Sequence, residues 1–156
     1  MFSILATFLP LFFQAQTLMQ APKERVLVTR EISLSERYPN RSVNEVFKDN
    51  ILLNLAYMRG VVNPSRDVDW DTVKKPFTYS LTLHPGEVFA YHDDVLPSYT
   101  SQALKTTNAH FNSAEGFKSD GYLVGDGVCH LASLIYWAAK DAHLESLAPT
   151  NHNFAN

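Results

Sequence analysis

Apolar positions recur three or four residues apart in two stretches of the chain, which is the spacing of one face of a helix. The first stretch predicts a helix over 43–59, with Ser42 and Glu45 as a capping-box pair at its start and Gly60 as its terminator. The second stretch predicts a helix over 128–142. The apolar residues of the first stripe are Val43, Phe47, Ile51, Leu55 and Met58.

Between these helices, apolar and polar residues alternate one by one over 77–83 and again over 87–91. This is the period of half-buried strands. The turn-forming pair Pro85-Gly86 lies between them and favours a hairpin. The pattern therefore predicts an α+β fold in which a small antiparallel sheet packs with two main helices.

Three other segments show no sustained period. Residues 61–75 are polar and are interpreted as a long surface loop. Residues 93–120 are rich in Ser, Thr and Asn and are expected to form a loop, with a turn of helix near 101–106. Residues 121–124 are interpreted as a short strand that leads into the second helix.

Composition adds limits to this picture. A length of 156 residues fits one domain, and 46% hydrophobic with 19% charged residues is typical of a folded globular chain. The formal net charge is −3, and the longest basic run is Lys74-Lys75. No electrostatic surface for nucleic acid is predicted, so that class of partner is not expected.

The first thirteen residues carry no charge and are strongly apolar. They predict that residues 1–20 are a signal peptide or anchor remnant, which implies export and N-terminal membrane contact. Pro10 and the absence of Lys or Arg before Lys23 leave a second interpretation, an N-terminal helix docked on the core. Residues 21–41 are expected to be a linker or an edge strand.

The chain has a single cysteine, Cys129, so it has no intramolecular disulfide. Asp126 stands between two glycines as a candidate cap, and Cys129 follows in the first turn of the predicted helix. Unpaired N–H groups and the positive end of the helix dipole stabilise a thiolate there. Cys129 is therefore either a nucleophile or an inert thiol packed as a small hydrophobe.

A nucleophilic cysteine needs a base, and His152 follows the helix at a distance that lets a returning strand place it beside Cys129. A cysteine at a helix N-terminus with a later histidine is the arrangement of papain-like and transglutaminase-like enzymes. Cys129 and His152 are the candidate catalytic residues, and the alternative is that both are structural. His130 points about 100° away around the helix and is interpreted as a helix-surface residue. His84, His92, Asp93 and Asp94 flank the predicted hairpin without a short-spaced ligand motif, so neither a metal nor another cofactor is expected.

Three blocks carry a family resemblance. They are Asn50-Ile51-Leu52-Leu53 through Gly60-Val61-Val62, then Pro85-Gly86-Glu87-Val88-Phe89, then Gly127-Val128-Cys129 through Ala138-Ala139 with His152 after it. In this order they resemble the VanW-like family of exported bacterial proteins, named for an accessory member of vancomycin-resistance gene clusters. The sequence departs from the family pattern at Asp126, where a glycine is usual, and at His130, where a glutamine is usual.

The resemblance implies that residues 42–156 form a VanW-like domain with an insertion near 63–84. Because family domains continue with further strands beyond the histidine, the domain is expected to be incomplete at its C-terminus. The implied location is the cell envelope or the extracellular space. The implied function is a module that acts on or binds cell-wall material, with peptidoglycan or an envelope protein as partner. The alternative is a cysteine-dependent amidase, peptidase or transpeptidase that uses Cys129 and His152 on peptidoglycan-type peptides.

Overall fold

Three helices and one pair of short strands form the part of the chain that the computed structural model describes, residues 24–63 and 67–148. The predicted signal or anchor segment, residues 1–20, lies outside the described residues, and so does His152. The elements are α1 (Arg41–Met58), α2 (Trp70–Val73), β1 (Glu87–Ala90), β2 (Ala103–Thr106) and α3 (Val128–Asp141), with single 3-10 turns at Pro97–Tyr99 and Ser113–Glu115.

Helix α1 coincides with the first apolar stripe, but its cap differs from the predicted one. Asn40 is the N-cap, and its side chain accepts a hydrogen bond from the backbone N–H of Ser42. At the other end Gly60 has φ +67°, and its N–H donates to the carbonyl of Tyr57. Glycine adopts this left-handed conformation without strain, so Gly60 ends the helix as expected.

The core forms where α1 meets α2 and the segment before α3. Leu53 and Val73 are completely buried, and Trp70 packs against the same cluster. The prediction of a continuous surface loop over 61–75 is therefore wrong. Asp69 caps the short helix α2 by accepting the N–H groups of Asp71 and Thr72, and this turns Val73 into the core.

The strands β1 and β2 are parallel, with Glu87 opposite Ala103 and Ala90 opposite Thr106. The prediction of an antiparallel sheet that pairs 77–83 with 87–91 is wrong. Residues 77–83 do alternate between half-buried and exposed side chains, but they belong to no strand of the described structure. The alternation in sequence thus matches the burial of these side chains, but the strand that pairs with β1 is β2.

The turn before β1 explains why no hairpin forms. The N–H of Glu87 donates to the carbonyl of His84, but the N–H of His84 donates to the Glu87 carboxylate at 2.8 Å. The Glu87 carboxylate thus accepts the His84 N–H, which in a hairpin would donate to the Glu87 carbonyl. Lys105 of β2 then fixes the diverging chain, because its ammonium group donates to the carbonyl of Thr82 at 2.8 Å and to Glu87 at 2.7 Å.

The connection from β1 to β2 spans residues 91–102 and includes the 3-10 turn Pro97–Tyr99. A crossover of this kind is required between parallel strands. The expected helical turn at 101–106 is wrong, because residues 103–106 form β2. Before α1, residues 24–33 belong to neither a helix nor a strand, and Arg30 pairs with Asp141 at the end of α3.

Among the described residues, no helix combines the length and the apolarity that crossing a bilayer requires.

Candidate functional site

The N-terminus of α3 carries Cys129, as the sequence predicts, but Asp126 does not cap it. The N-cap is Gly127, with φ +97° and no side-chain hydrogen bond. The carboxylate of Asp126 instead accepts the backbone N–H of Asp120 at 3.1 Å. The Asp120 N–H therefore holds the Asp126 side chain, and in the first turn of α3 the N–H groups of Val128 and His130 donate to the carbonyls of Gly125 and Gly127.

Close contact with α1 explains the glycine at the cap. A Cβ atom at Gly127 would lie 2.8 Å from the Phe47 Cα atom. Asn50 fixes the same junction: its amide group donates to the carbonyls of Lys118 and Asp126 at 2.9 and 2.8 Å and accepts the Lys118 N–H at 2.8 Å. One buried side chain thus ties α1 to both ends of the segment that enters α3.

Tyr91, directly after β1, supports the first turn of α3. Its hydroxyl donates to the Val128 carbonyl at 2.7 Å and accepts the side-chain N–H of the fully buried Asn54 at 2.5 Å. Burial raises the pKa of Tyr91 well above its usual value, and the nearby Cys129 adds to the shift. Tyr91 therefore stays protonated and acts as a fixed donor beside the cysteine.

Cys129 itself is exposed. Partial desolvation of the sulfur, followed by the negative charge of Asp126, raises the pKa of the thiol above its ordinary value. This direction is opposite to the one expected from the helix dipole. Because desolvation and the charge of Asp126 both disfavour the thiolate, the thiol form is favoured near neutral pH.

His130 is buried, so its interpretation as a surface residue is wrong. Its ring lies 5.2 Å from the Phe47 ring, and the Tyr38 hydroxyl lies 3.4 Å from its Nε2 atom. Burial, with a smaller contribution from Arg37, lowers its pKa. The imidazole is therefore a neutral packing residue between α1, α3 and the segment before α1, and it does not face Cys129.

Residues 119–124 form a tight projecting loop just before α3, which we call the 119–124 hairpin. A single antiparallel bridge joins Ser119 to Val124, so the expected strand over 121–124 is reduced to that bridge. Tyr122 is 89% exposed and Leu123 is 70% exposed at its tip. At its base, the pKa of Asp120 is raised, first by a hydrogen bond with Asp126.

A second cluster of ionisable side chains lies beyond Tyr91. His110 Nε2 is 2.7 Å from the carboxylate of Asp93, and His110 Nδ1 is 2.7 Å from the carboxylate of Glu115. Sequence reasoning missed His110 and Glu115, although the pair Asn112 and Glu115 forms a capping box that was a readable signal. In residues 24–63 and 67–148, no group of three or more His, Cys, Asp or Glu side chains is arranged to hold a metal ion.

The catalytic pair predicted from sequence stays a prediction, because His152 lies outside the described residues. No family model, curated protein or solved structure matches this chain.

Proposed function

We propose that this chain is a binding module of the cell envelope that takes up cell-wall peptide material at one surface. The surface consists of the 119–124 hairpin tip and the neighbouring first turn of α3. The single observation that carries the proposal is the exposure of Tyr122 and Leu123 side by side on a tight loop. Adjacent exposed apolar side chains on a constrained loop are typical of contact surfaces, because an aromatic ring gains contact area at low entropic cost.

The environment of Cys129 supports binding over catalysis. A cysteine nucleophile acts as a thiolate, and the raised pKa keeps this sulfur protonated. Within the described residues, the histidine next to it in sequence, His130, is buried on another side of the helix. The groups around the sulfur therefore favour a neutral polar contact with a ligand.

The chemistry of the surface suggests a class of ligand. Tyr122 and Leu123 offer apolar contact, and the carboxyl groups of Asp120 and Asp126 lie at the base of the hairpin. A short peptide with small apolar side chains and a free amino group complements both features. Peptidoglycan stem peptides have this chemistry. The envelope location is supported by the VanW-like motifs and by the apolar residues 1–20.

Replacing both apolar side chains at the hairpin tip tests the proposed surface. Tyr122→Ser together with Leu123→Ser should weaken binding of soluble peptidoglycan fragments about tenfold or more, because apolar contact of two large side chains is lost. The measurement is a calorimetric titration of the full chain with fragments that retain the stem peptide. The matched control is Val26→Ser with Leu27→Ser, since these neighbours are also exposed but lie in the segment before α1, away from the hairpin in sequence. Equal affinity of the two double variants would contradict the proposed surface.

A second candidate, a cysteine-dependent amidase, peptidase or transpeptidase, is favoured by one observation, the exposure of Cys129 at a helix N-terminus. The two candidates differ in thiol reactivity. We expect iodoacetamide at pH 7 to modify native Cys129 no faster than the urea-unfolded chain, because the native pKa is raised. The measurement is the modification rate by mass spectrometry. A native rate several times the unfolded rate, lowered by His152→Ala, would favour the enzyme.

A further inference from the structure

His110 joins two segments that are far apart in sequence. Asp93, which pairs with Nε2, follows β1, whereas Glu115, which pairs with Nδ1, belongs to the 3-10 turn after β2. Glu115 is buried, and its carboxylate also accepts the backbone N–H groups of His110 and Asn112. Asp93 is about half exposed. The imidazole therefore has one fixed carboxylate and one that is free to move.

The residue that follows His110 is held in an unfavourable conformation. Phe111 has φ +59°, a left-handed value that a bulky side chain rarely adopts and that costs about 1–3 kcal/mol. Its ring stacks on Tyr91 at 5.6 Å and lies 5.7 Å from the His92 ring. Its Cβ and carbonyl oxygen lie 3.2 Å from where a Cβ of Gly125 would be. Surrounding contacts must maintain this conformation.

These contacts lead from His110 to the start of α3. Phe111 lies against Gly125 and Tyr91, and the Tyr91 hydroxyl donates a hydrogen bond to the carbonyl of Val128. Cys129 is the next residue. A change in the position of Phe111 therefore alters the packing on both sides of the first turn of α3.

We propose that His110 is a protonation-controlled clasp that holds residues 92–95 against residues 108–112 and keeps Phe111 in place. The doubly protonated imidazole donates one N–H to Asp93 and the other to Glu115. The neutral imidazole has a single N–H, and this N–H stays on Nδ1, hydrogen-bonded to the buried Glu115. The lone pair on Nε2 then faces the Asp93 carboxylate, and Asp93 separates from the imidazole.

The direction of the pH dependence follows from the charges that surround His110. The hydrogen bond and negative charge of Glu115, and then the charge of Asp93, raise the pKa of His110 above its ordinary value of 6.5. The neighbouring titratable groups on the Asp93 side are His92 and Asp94, with 3.7 Å between His92 Nδ1 and an oxygen of the Asp94 carboxylate. A group with a raised native pKa stabilises the fold fully below its unfolded pKa, and this contribution is lost as the pH rises through the native value. The clasp is therefore closed below pH 6.5 and opens as the pH rises through the raised pKa of His110.

Amide hydrogen exchange of the full chain between pH 5.5 and pH 9 tests the clasp. In the wild-type protein, the amides of residues 93–95 and 110–112 should lose protection with a midpoint above pH 6.5. This loss should exceed the increase in exchange rate that base catalysis alone produces, which the α1 amides in the same sample measure. The midpoint should match the His110 pKa measured by imidazole NMR. His110→Gln should show weak protection at every pH and no midpoint. His84→Gln should behave as wild type, because His84 is an exposed histidine outside the two ion pairs.

Asp93→Asn keeps the test decisive if His110→Gln does not fold. Removing this charge should lower the His110 pKa, and because the new amide can either accept from or donate to Nε2, residues 93–95 should lose the pH-dependent change in exchange while the Glu115 contact remains. The proposal would be overturned if, in the wild-type protein, exchange at residues 93–95 and 110–112 increased with pH only as much as exchange of the α1 amides. An unchanged midpoint in Asp93→Asn would also overturn it.

Discussion

Replacing Gly127 by alanine should lower the free energy of unfolding by about 2–5 kcal/mol. Two independent costs combine at this position. The φ of +97° is unfavourable for any residue with a side chain. The new Cβ would also lie 2.8 Å from the Phe47 Cα atom, a backbone atom of α1 that cannot rotate away. Urea denaturation followed by far-UV circular dichroism measures the loss.

Gly86 provides the matched control for this substitution. It has a similar φ of +82°, but nothing lies within 4 Å of the position of its Cβ. Gly86→Ala therefore incurs the cost of a positive φ but no steric clash of the new Cβ, and it should destabilise the chain by about 1–2 kcal/mol. If both variants lose the same amount, the close approach of α3 to α1 is not the reason for glycine at 127.

The helices were predictable because their signal is local. The apolar stripe of α1 and its terminator at Gly60 lie within twenty residues of each other, and each supports the same boundary. The apolar stretch that starts at Val128 predicts α3 in the same way. The capping residues were less predictable, because Asn40 and Ser42 both favour a helix start and only the backbone geometry selects between them.

The sheet was mispredicted because its pairing depends on distant contacts. The alternation over 77–83 is present as burial, but the Glu87 carboxylate takes the His84 N–H and the chain diverges. The true partner, β2, has two exposed residues followed by two half-buried ones, so its sequence carries no two-residue period. Nothing local distinguishes such a strand from a loop.

The candidate site was predictable in position but not in electrostatics. The place of Cys129 in the first turn of α3 follows from local sequence. The charge beside its sulfur does not, because Asp126 points away from the helix N–H groups only when Asp120 supplies a donor. Similarly, the burial of His130 requires Tyr38, which lies 92 positions earlier in the chain.

Asn50→Ala should destabilise the chain by about 3 kcal/mol. Asn50 is completely buried in α1, where an apolar residue is the usual choice. Its amide makes three hydrogen bonds to the backbone of Lys118 and Asp126. The alanine variant leaves one N–H and two carbonyl groups without this partner, and each buried group that loses its partner costs about 1–3 kcal/mol, reduced where water enters the cavity.

The same substitution should loosen the entry to α3 before the whole chain unfolds. Because Asn50 joins residues 118 and 126, hydrogen exchange of the amides of Lys118 and Gly125 should accelerate more than that of the amides in α1. Gln102→Ala is the control, since Gln102 is an exposed amide whose backbone N–H keeps its bond to the Tyr99 carbonyl. A loss below about 1 kcal/mol, or uniform acceleration across α1 and residues 118–127, would show that Asn50 is a packing residue and that other contacts position the cysteine-bearing helix.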